Sequence, residues 1–519
     1  MKKFNCEKNK QKKFGKKFWL IFSIALFVII SASVLCVTLF NNANFDFVSV
    51  YSKNVNEYAL DVNIDCENKS LEVHQNTKFV NQTEDVSLKS VYFHIYPKAF
   101  CEGVVNKPVS SLNESKAYPN GLSYGTFELL NVKVEDCENS CIRYLNADKD
   151  ILVVDLENEL LPNKSVNIIF NYNIKLPNIN HRFGYGDNTI NLGNFFLIAC
   201  VYDENIGYFA NSYHYNGDPF YSEMANFDAK ITYNKNYVLA STGNIVDEKI
   251  EEENKVTIIS AKAVRDFAMI LSDKFKKVSE KVQNVEVCYF YYKDERPSDS
   301  LKTCVDSLKT FSNLFASYPY KQLSVCESNF VYGGMEYPNL VFISDNLENY
   351  EDYTYTIIHE IAHQWWYNMV GNNEFKYGFL DEGLTEYSVH LFFDENQEYN
   401  MDTNEMIKNT TNSYLLFLDV YKEVFTKVDT SMMRSLDEFS TEPEYIYLSY
   451  VKGVLMFDNL KQIVGKTNFI KSLKFYFQQN KGKNATPSDL VYAFSKVCKQ
   501  NLESYFNSWF NGSVVIENL

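Results

Sequence analysis

Positive charge is scarce in this chain: 50 Lys and Arg stand against 66 Asp and Glu, giving a formal charge of −16 and a pI near 5.1. So little cationic surface cannot neutralise a phosphate backbone broadly, which excludes a general nucleic-acid binder. Cysteine is present, 11 in all, but nowhere in CxxC spacing, so the paired-thiolate zinc modules are excluded as well. The one close pair, Cys137 and Cys141, is open to a local disulfide or to two free thiols, and the redox compartment stays open with it. Internal repeats and low-complexity segments are lacking. Histidine is rare, with 7 in 519 residues, and this scarcity gives weight to any place where two stand together.

What is there is ample apolar material. A hydrophobic content of 46% and an aromatic content of 16% argue for well-filled cores, and the length suits two or three domains. Residues 1–17 form a basic tail, eight lysines against Glu7, and an uncharged apolar run follows from Phe18 to Phe40. As a helix that run is about 34 Å long, enough to cross a bilayer core of about 30 Å. The lysines before it predict a cytoplasmic N-terminus, so the rest of the chain is expected outside the cell membrane, held by a single-pass signal anchor. An uncleaved anchor is favoured over a cleaved signal peptide, whose apolar core usually runs about 7 to 15 residues.

After a linker at 41–57, residues 58–274 read as short alternating apolar segments broken by Asn, Asp and Gly, for example Leu60–Ile64, Ser90–Tyr96, Ile151–Val154 and Val166–Phe170. Period-two alternation with frequent turn signals predicts an antiparallel β-sandwich domain. His74, His94, His181 and His214 are scattered singly there and are read as structural. From 275 to 519 strands and helices mix: Val285–Tyr291 and Leu323–Glu327 as strands, Ser298–Ser317, Asp381–Phe393 and Val451–Ile463 as helices. The fold class is therefore multidomain α+β, a β-sandwich followed by a mixed, then mostly helical, domain.

His359-Glu360-Ile361-Ala362-His363 lies in this second part. Residues four apart share a helical face, so both imidazoles can aim a ring nitrogen at one metal ion, while Glu360 lies about 100° further round, able to handle a water without being a ligand. Asp352 is the expected N-cap of this helix and Gly371 its stop. Zinc held by two His needs a third protein ligand, and Glu382, 19 positions beyond His363, offers one on the next helix. Such a set leaves a fourth tetrahedral position for water, as hydrolytic zinc requires. Glu386, one turn on, could orient a ligand His or be a plain surface residue.

HExxH followed by Glu after 18 intervening residues is the gluzincin signature, and the chain beyond the apolar run resembles the aminopeptidase N family. Gly333-Gly334-Met335-Glu336 is similar to that family's Gly-x-Met-Glu-Asn exopeptidase motif, and Tyr450-Val451-Lys452-Gly453 to its Tyr-x-Lys-Gly segment. The resemblance implies a thermolysin-like catalytic domain, one Zn2+ per chain, peptide substrates with a free N-terminus, and aminopeptidase action. It implies that Glu360 is the general base, that Tyr450 steadies the tetrahedral intermediate, and that Glu336 binds the α-amine beside a backbone formed by Gly333, Gly334 and Met335. Tyr337 departs from the motif's usual Asn, which is expected to alter contacts to the substrate backbone. The second amine anchor that many members carry in the N-terminal domain is sought in Asn194–Glu204. The sequence ends at Leu519 without the large helical C-terminal domain of longer relatives, so a more open cleft is expected. The competing readings are a thermolysin-like endopeptidase and a membrane-tethered binding protein with a vestigial site.

Overall fold

The structure, a computed structural model, describes residues 46–519 except 136, 138–140, 426–427, 515 and 517–519. The basic tail, the proposed anchor at 18–40 and the start of the linker fall outside the described residues. Among those described, no helix is long and apolar enough to cross a membrane. The chain divides into compact units at Phe47/Val48, and everything below belongs to the unit Val48–Leu519.

Its first half is β-rich. A seven-stranded sheet runs in the order Asn244–Glu251, Asn254–Val264, Ala225–Asn234, Asn56–Asp65, Ser70–Val80, Ser165–Lys175 and Thr126–Val134. In Asn56–Asp65 every second residue is buried, the signature of a sheet with one face in the core. That face meets a four-stranded sheet containing Leu88–His94, and Phe93 packs edge-on against Phe170 with ring centroids 4.9 Å apart. Among the described strand pairs of this half, one departs from the expected antiparallel pattern: Asn56–Asp65 and Ala225–Asn234 pair in parallel. The strands are far apart in sequence, and this long connection leaves room for the crossover that parallel pairing needs.

The second half starts with a five-stranded mixed sheet, in the order Lys276–Val282, Val285–Tyr291, Gln322–Ser328, Leu340–Ser344 and Gly334–Met335. Helix α1 (Pro297–Leu314) makes the crossover between the parallel strands Val285–Tyr291 and Gln322–Ser328. The short strand Gly334–Met335 lies antiparallel at the sheet's edge. Beyond the sheet come α2 (Tyr350–Ala362), α3 (Phe379–Glu395), α4 (Thr403–Val424) and α5 (Lys452–Val464), followed by three more helices up to Phe510. Helix α3 is buried along nearly its whole length, with Glu386 and the last two residues as its only less-buried positions.

The ends of α2 differ from expectation. Its N-cap is Asn349, whose Oδ1 accepts from the Asp352 N–H at 2.8 Å; Asp352 is the third helical residue and its carboxylate accepts from Asn349 Nδ2. The helix stops at Ala362, well before Gly371, because the carbonyls of His363, Gln364 and Trp365 accept from the N–H groups five residues on, in wide turns that leave the α path. Gly371 has another task. It starts a two-residue strand paired with Asn484–Ala485, and a Cβ there would overlap the Arg265 guanidinium.

Candidate metal centre and substrate cleft

His359 lies in the last turn of α2 and His363 caps it, so their side chains share one face. Their Nε2 atoms are 3.1 Å apart, and Glu382 Oε2, arriving from the first turn of α3, is 3.4 Å from the first and 3.3 Å from the second. A tetrahedral ion with bonds of about 2.0–2.1 Å holds its ligand atoms about 3.3 Å from one another, so this triangle fits zinc without rearrangement. The far ring nitrogens are already engaged: His359 Nδ1 donates to Glu386 Oε2 at 2.7 Å and His363 Nδ1 to the Trp366 carbonyl at 2.9 Å. Those bonds fix the tautomer that leaves both Nε2 lone pairs facing inward. Glu386 is itself held by the Tyr355 hydroxyl, 2.7 Å from its other oxygen. Glu382 Oε2 is buried and has no hydrogen-bond partner, as suits a ligand atom. Burial opposes ionisation of Glu382, but His363 and His359 hold its carboxyl down to about 2. Burial also opposes charge on His363, yet the carboxylates of Glu336 and Glu382 favour it, so a cation bound among these groups would take the place of a ring proton.

Glu360 faces the same space. Burial raises its carboxyl to about 7 against the opposing pull of His359 and His363, and its Oε2 is buried without a partner. Gly334 runs against it: a Cβ at this position would lie 2.5 Å from Glu360 Oε1, so any side chain here would push the Glu360 carboxylate from its place. Gly333 is under no such pressure, since its nearest neighbour would be Thr356 at 3.7 Å.

Tyr450 comes from a five-residue π-turn, Tyr447–Val451, at the start of α5. Its ring lies parallel to that of His359 with centroids 6.1 Å apart, and edge-on to Tyr445 at 5.9 Å. Two glycines make this approach practicable. Where α5 crosses α3, a Cβ on Gly453 would sit 2.5 Å from the Gly383 Cα, so the bare backbones bring Tyr450 up to Glu382. Lys452, fully buried, anchors the crossing by donating to the carbonyls of Thr430 and Trp509.

A cavity of about 300 Å3 joins these groups and is lined by His359, His363, Glu382, Glu360, Tyr450, Gly333, Gly334 and Glu336 together with residues from the β-rich half. Met335 does not line it; its side chain is buried in the core behind the edge strand. Tyr337 also points inward, fully buried, its hydroxyl donating to Asn194 Oδ1 at 2.6 Å. That bond and another to Asp266 occupy the Asn194 side chain. The acid that the β-rich half does bring to the cleft is Asp218, outside the window 194–204. Its carboxylate is ion-paired with the buried Arg182, and one oxygen lies within 4.8 Å of oxygens of Glu336 and Glu382. Nothing local in the sequence distinguishes Asp218 from other acids next to a glycine; only the long-range fold sets it opposite Glu336.

Comparison with known proteins agrees with this geometry. Residues 300–509 match the family model described as the peptidase family M1 domain. Leucine aminopeptidase 2 of Aspergillus clavatus is 30% identical over 240 residues, 41% of this chain and 37% of that protein. Leukotriene A-4 hydrolase of Xenopus laevis is 26% identical over 219 residues, 40% of this chain and 32% of that one. The chain thus spans about a third of the length of the curated relatives it matches. An M1 zinc metallopeptidase from Deinococcus radiodurans superposes over 89% of this chain and 94% of its own with a TM-score of 0.62 at 14% identity, a likeness of fold. A structure of a mutant of that enzyme bound to a Tyr-Ser-Ala substrate covers 90% of this chain and 96% of its own with a TM-score of 0.62 at 13% identity. Residues 300–509 thus match the peptidase family M1 domain, the fold is that of the M1 metallopeptidase structures, and the His359–His363–Glu382 triangle has the ligand set and spacing that would hold zinc.

Proposed function

We propose that the chain is a zinc-dependent aminopeptidase that removes N-terminal residues from peptides. The observation that carries this reading is the shape of one cavity, which has the His359–His363–Glu382 triangle on one wall and the paired acids Glu336 and Asp218 close by on another. Zinc, when bound, supplies Lewis acidity to the scissile carbonyl and to the attacking water. Glu360, held near neutrality, accepts a proton from that water as its oxygen bonds to the carbonyl carbon, and passes the proton to the departing amine as the C–N bond breaks. The Tyr450 hydroxyl donates to the oxygen on which negative charge develops. Glu336 and Asp218 receive the substrate ammonium, which places the first peptide bond, and no later one, beside Glu360. The edge strand Gly334–Met335 offers backbone for an extended peptide to lie along.

The test compares an aminoacyl anilide with its N-acetylated form and an internally quenched peptide with a blocked N-terminus. Rapid release from the free amine and at least about 100-fold slower release from the other two is expected. Comparable cleavage of blocked peptides would establish an endopeptidase instead, and absence of hydrolysis by the zinc-loaded protein would leave a binding role.

The same reading places the domain outside the cell membrane, tethered through residues 18–40; the support is the basic tail and the length of the apolar run. Full-length protein should sediment with membranes and withstand carbonate extraction, whereas a chain starting at residue 46 should be soluble. Sedimentation of both would end the tether hypothesis.

A further inference from the structure

One acid of the cleft has no part in the chemistry assigned above. Glu442 begins the short helix Glu442–Ile446, directly before the π-turn that carries Tyr450, and it lines the cavity although the residue is only 8% exposed. The β-rich half holds its carboxylate in place: Ser110 Oγ donates to Oε2 at 2.5 Å, and Asn113 Nδ2 lies 3.0 Å from Oε1 and 2.9 Å from Oε2. Both oxygens accept, an arrangement that suits the ionised form. Burial pushes the Glu442 carboxyl up, and these two donors oppose the shift. Neutral donors position the acid but leave its charge unmatched. Arg182, the one lysine or arginine among the residues lining the cavity, is ion-paired with Asp218, and Arg434, the cation nearest to Glu442 in sequence, is ion-paired with Glu444.

The surface around Glu442 is aromatic and apolar. Tyr215, Tyr332, Tyr445 and Ile446 line the cavity with it, and the Tyr332 hydroxyl is buried without a hydrogen-bond partner. Tyr445 packs on bare backbone: a Cβ on Gly217 would lie 2.6 Å from its ring, and one on Gly378 2.7 Å from its hydroxyl. Such a surface takes the methylene stem of a long side chain, and an acid set into it takes the charge at the end. The Cα of a first residue carries three groups that need a place. Glu336 and Asp218 receive the ammonium, and the His359–His363–Glu382 triangle with Glu360 and Tyr450 receives the carbonyl, so the wall formed by Tyr332, Glu442 and Ile446 is left for the side chain.

We propose that Glu442 selects peptides with a basic first residue, its carboxylate receiving the guanidinium or ammonium end of an arginine or lysine whose stem lies along Tyr332 and Ile446. This rests on the aminopeptidase reading and adds a substrate class to it. A guanidinium can engage both Glu442 oxygens and still offer an N–H to the Tyr332 hydroxyl oxygen, so arginine is preferred to lysine.

The anilides of arginine, citrulline, lysine and leucine are compared on the zinc-loaded full-length protein. Citrulline has the length and shape of arginine without its charge. In the wild type, kcat/KM for arginine is expected to exceed that for citrulline at least about tenfold, with lysine next. Glu442→Gln removes the charge at nearly constant shape and should bring the arginine-to-citrulline ratio to within about threefold of unity. The wild-type ratio needs no variant, which covers the case in which Glu442→Gln fails to fold. Arginine and citrulline rates within about twofold of each other in the wild type, or a folded variant with the wild-type ratio, would overturn the proposal and leave the aminopeptidase reading standing. Release from none of the four anilides would remove that reading and this proposal with it.

Discussion

At Glu360 burial outweighs an opposing pull. Burial drives the carboxyl up, the rings of His359 and His363 pull it back, and the result lies near 7, where a carboxylate can take a proton and release it again at neutral pH. Glu360→Gln keeps the shape and the triangle but cannot accept a proton. It should retain one zinc per chain by metal analysis while hydrolysis falls by about 10^3-fold or more; full activity would remove Glu360 from the base role. Glu386 acts through another residue, fixing His359 by one oxygen and leaning on Tyr355 by the other. Glu386→Gln is expected to weaken zinc binding about 10- to 100-fold in competition with a chelator, with little effect on hydrolysis once zinc saturates. The ligands were legible in sequence because their geometry is local, two His one turn apart and a Glu on the next helix. Asp218 was not, because its placement opposite Glu336 depends on the packing of the β-rich half against the catalytic half.

Tyr450 shows how an element sets a residue's reach. The amphipathic pattern of Val451–Ile463 announces α5 to within a residue, yet gives no sign of the π-turn that precedes it, since one extra residue in a turn leaves no periodicity to read. The glycine of Tyr-x-Lys-Gly is explained by the crossing of α5 and α3, where Gly453 and Gly383 meet backbone to backbone. Gly453→Ala therefore cannot be absorbed by a side-chain shift: the helices must separate. A stability loss of about 1–3 kcal/mol is expected from denaturant unfolding, with kcat falling more than KM rises as the Tyr450 hydroxyl withdraws from its place. Gly333→Ala supplies the control, since its methyl would meet only Thr356 at ordinary contact distance; equal losses in both variants would refute the steric account. Helix α2 teaches a similar lesson at its ends. Asn349 and Asp352 are both sound capping residues, and the choice of Asn349 lengthens the helix by one turn at a point where propensity alone does not decide.

In the whole molecule, the β-rich and catalytic halves belong to one compact unit, and buried polar groups join them. Arg265, 1% exposed and located at the end of a β-rich strand, donates to the carbonyls of Ser222 and Asn368 and to Asn484 Oδ1, thereby tying the turn after the zinc helix to both halves. Asp266 and Asn194 on one side and Tyr337 on the other form a second join. This gives the departure at Tyr337 its physical meaning: the phenol replaces a shorter polar group and reaches past Gly193, where any Cβ would overlap it, to bond the neighbouring half. The expectation that Tyr337 alters contacts to substrate backbone is thus replaced by a structural role, which no local pattern could have indicated. Tyr337→Phe keeps the ring and leaves Asn194 Oδ1 buried and short of a donor, at a cost of about 1–3 kcal/mol. The halves being joined this way, unfolding of the chain from residue 46 onward should stay a single transition by circular dichroism and by tryptophan fluorescence, shifted to lower temperature in the variant, with KM for free-amine substrates unchanged. Two separated transitions in the wild type, or a KM change without a stability change, would show that Tyr337 serves the cleft and not the join.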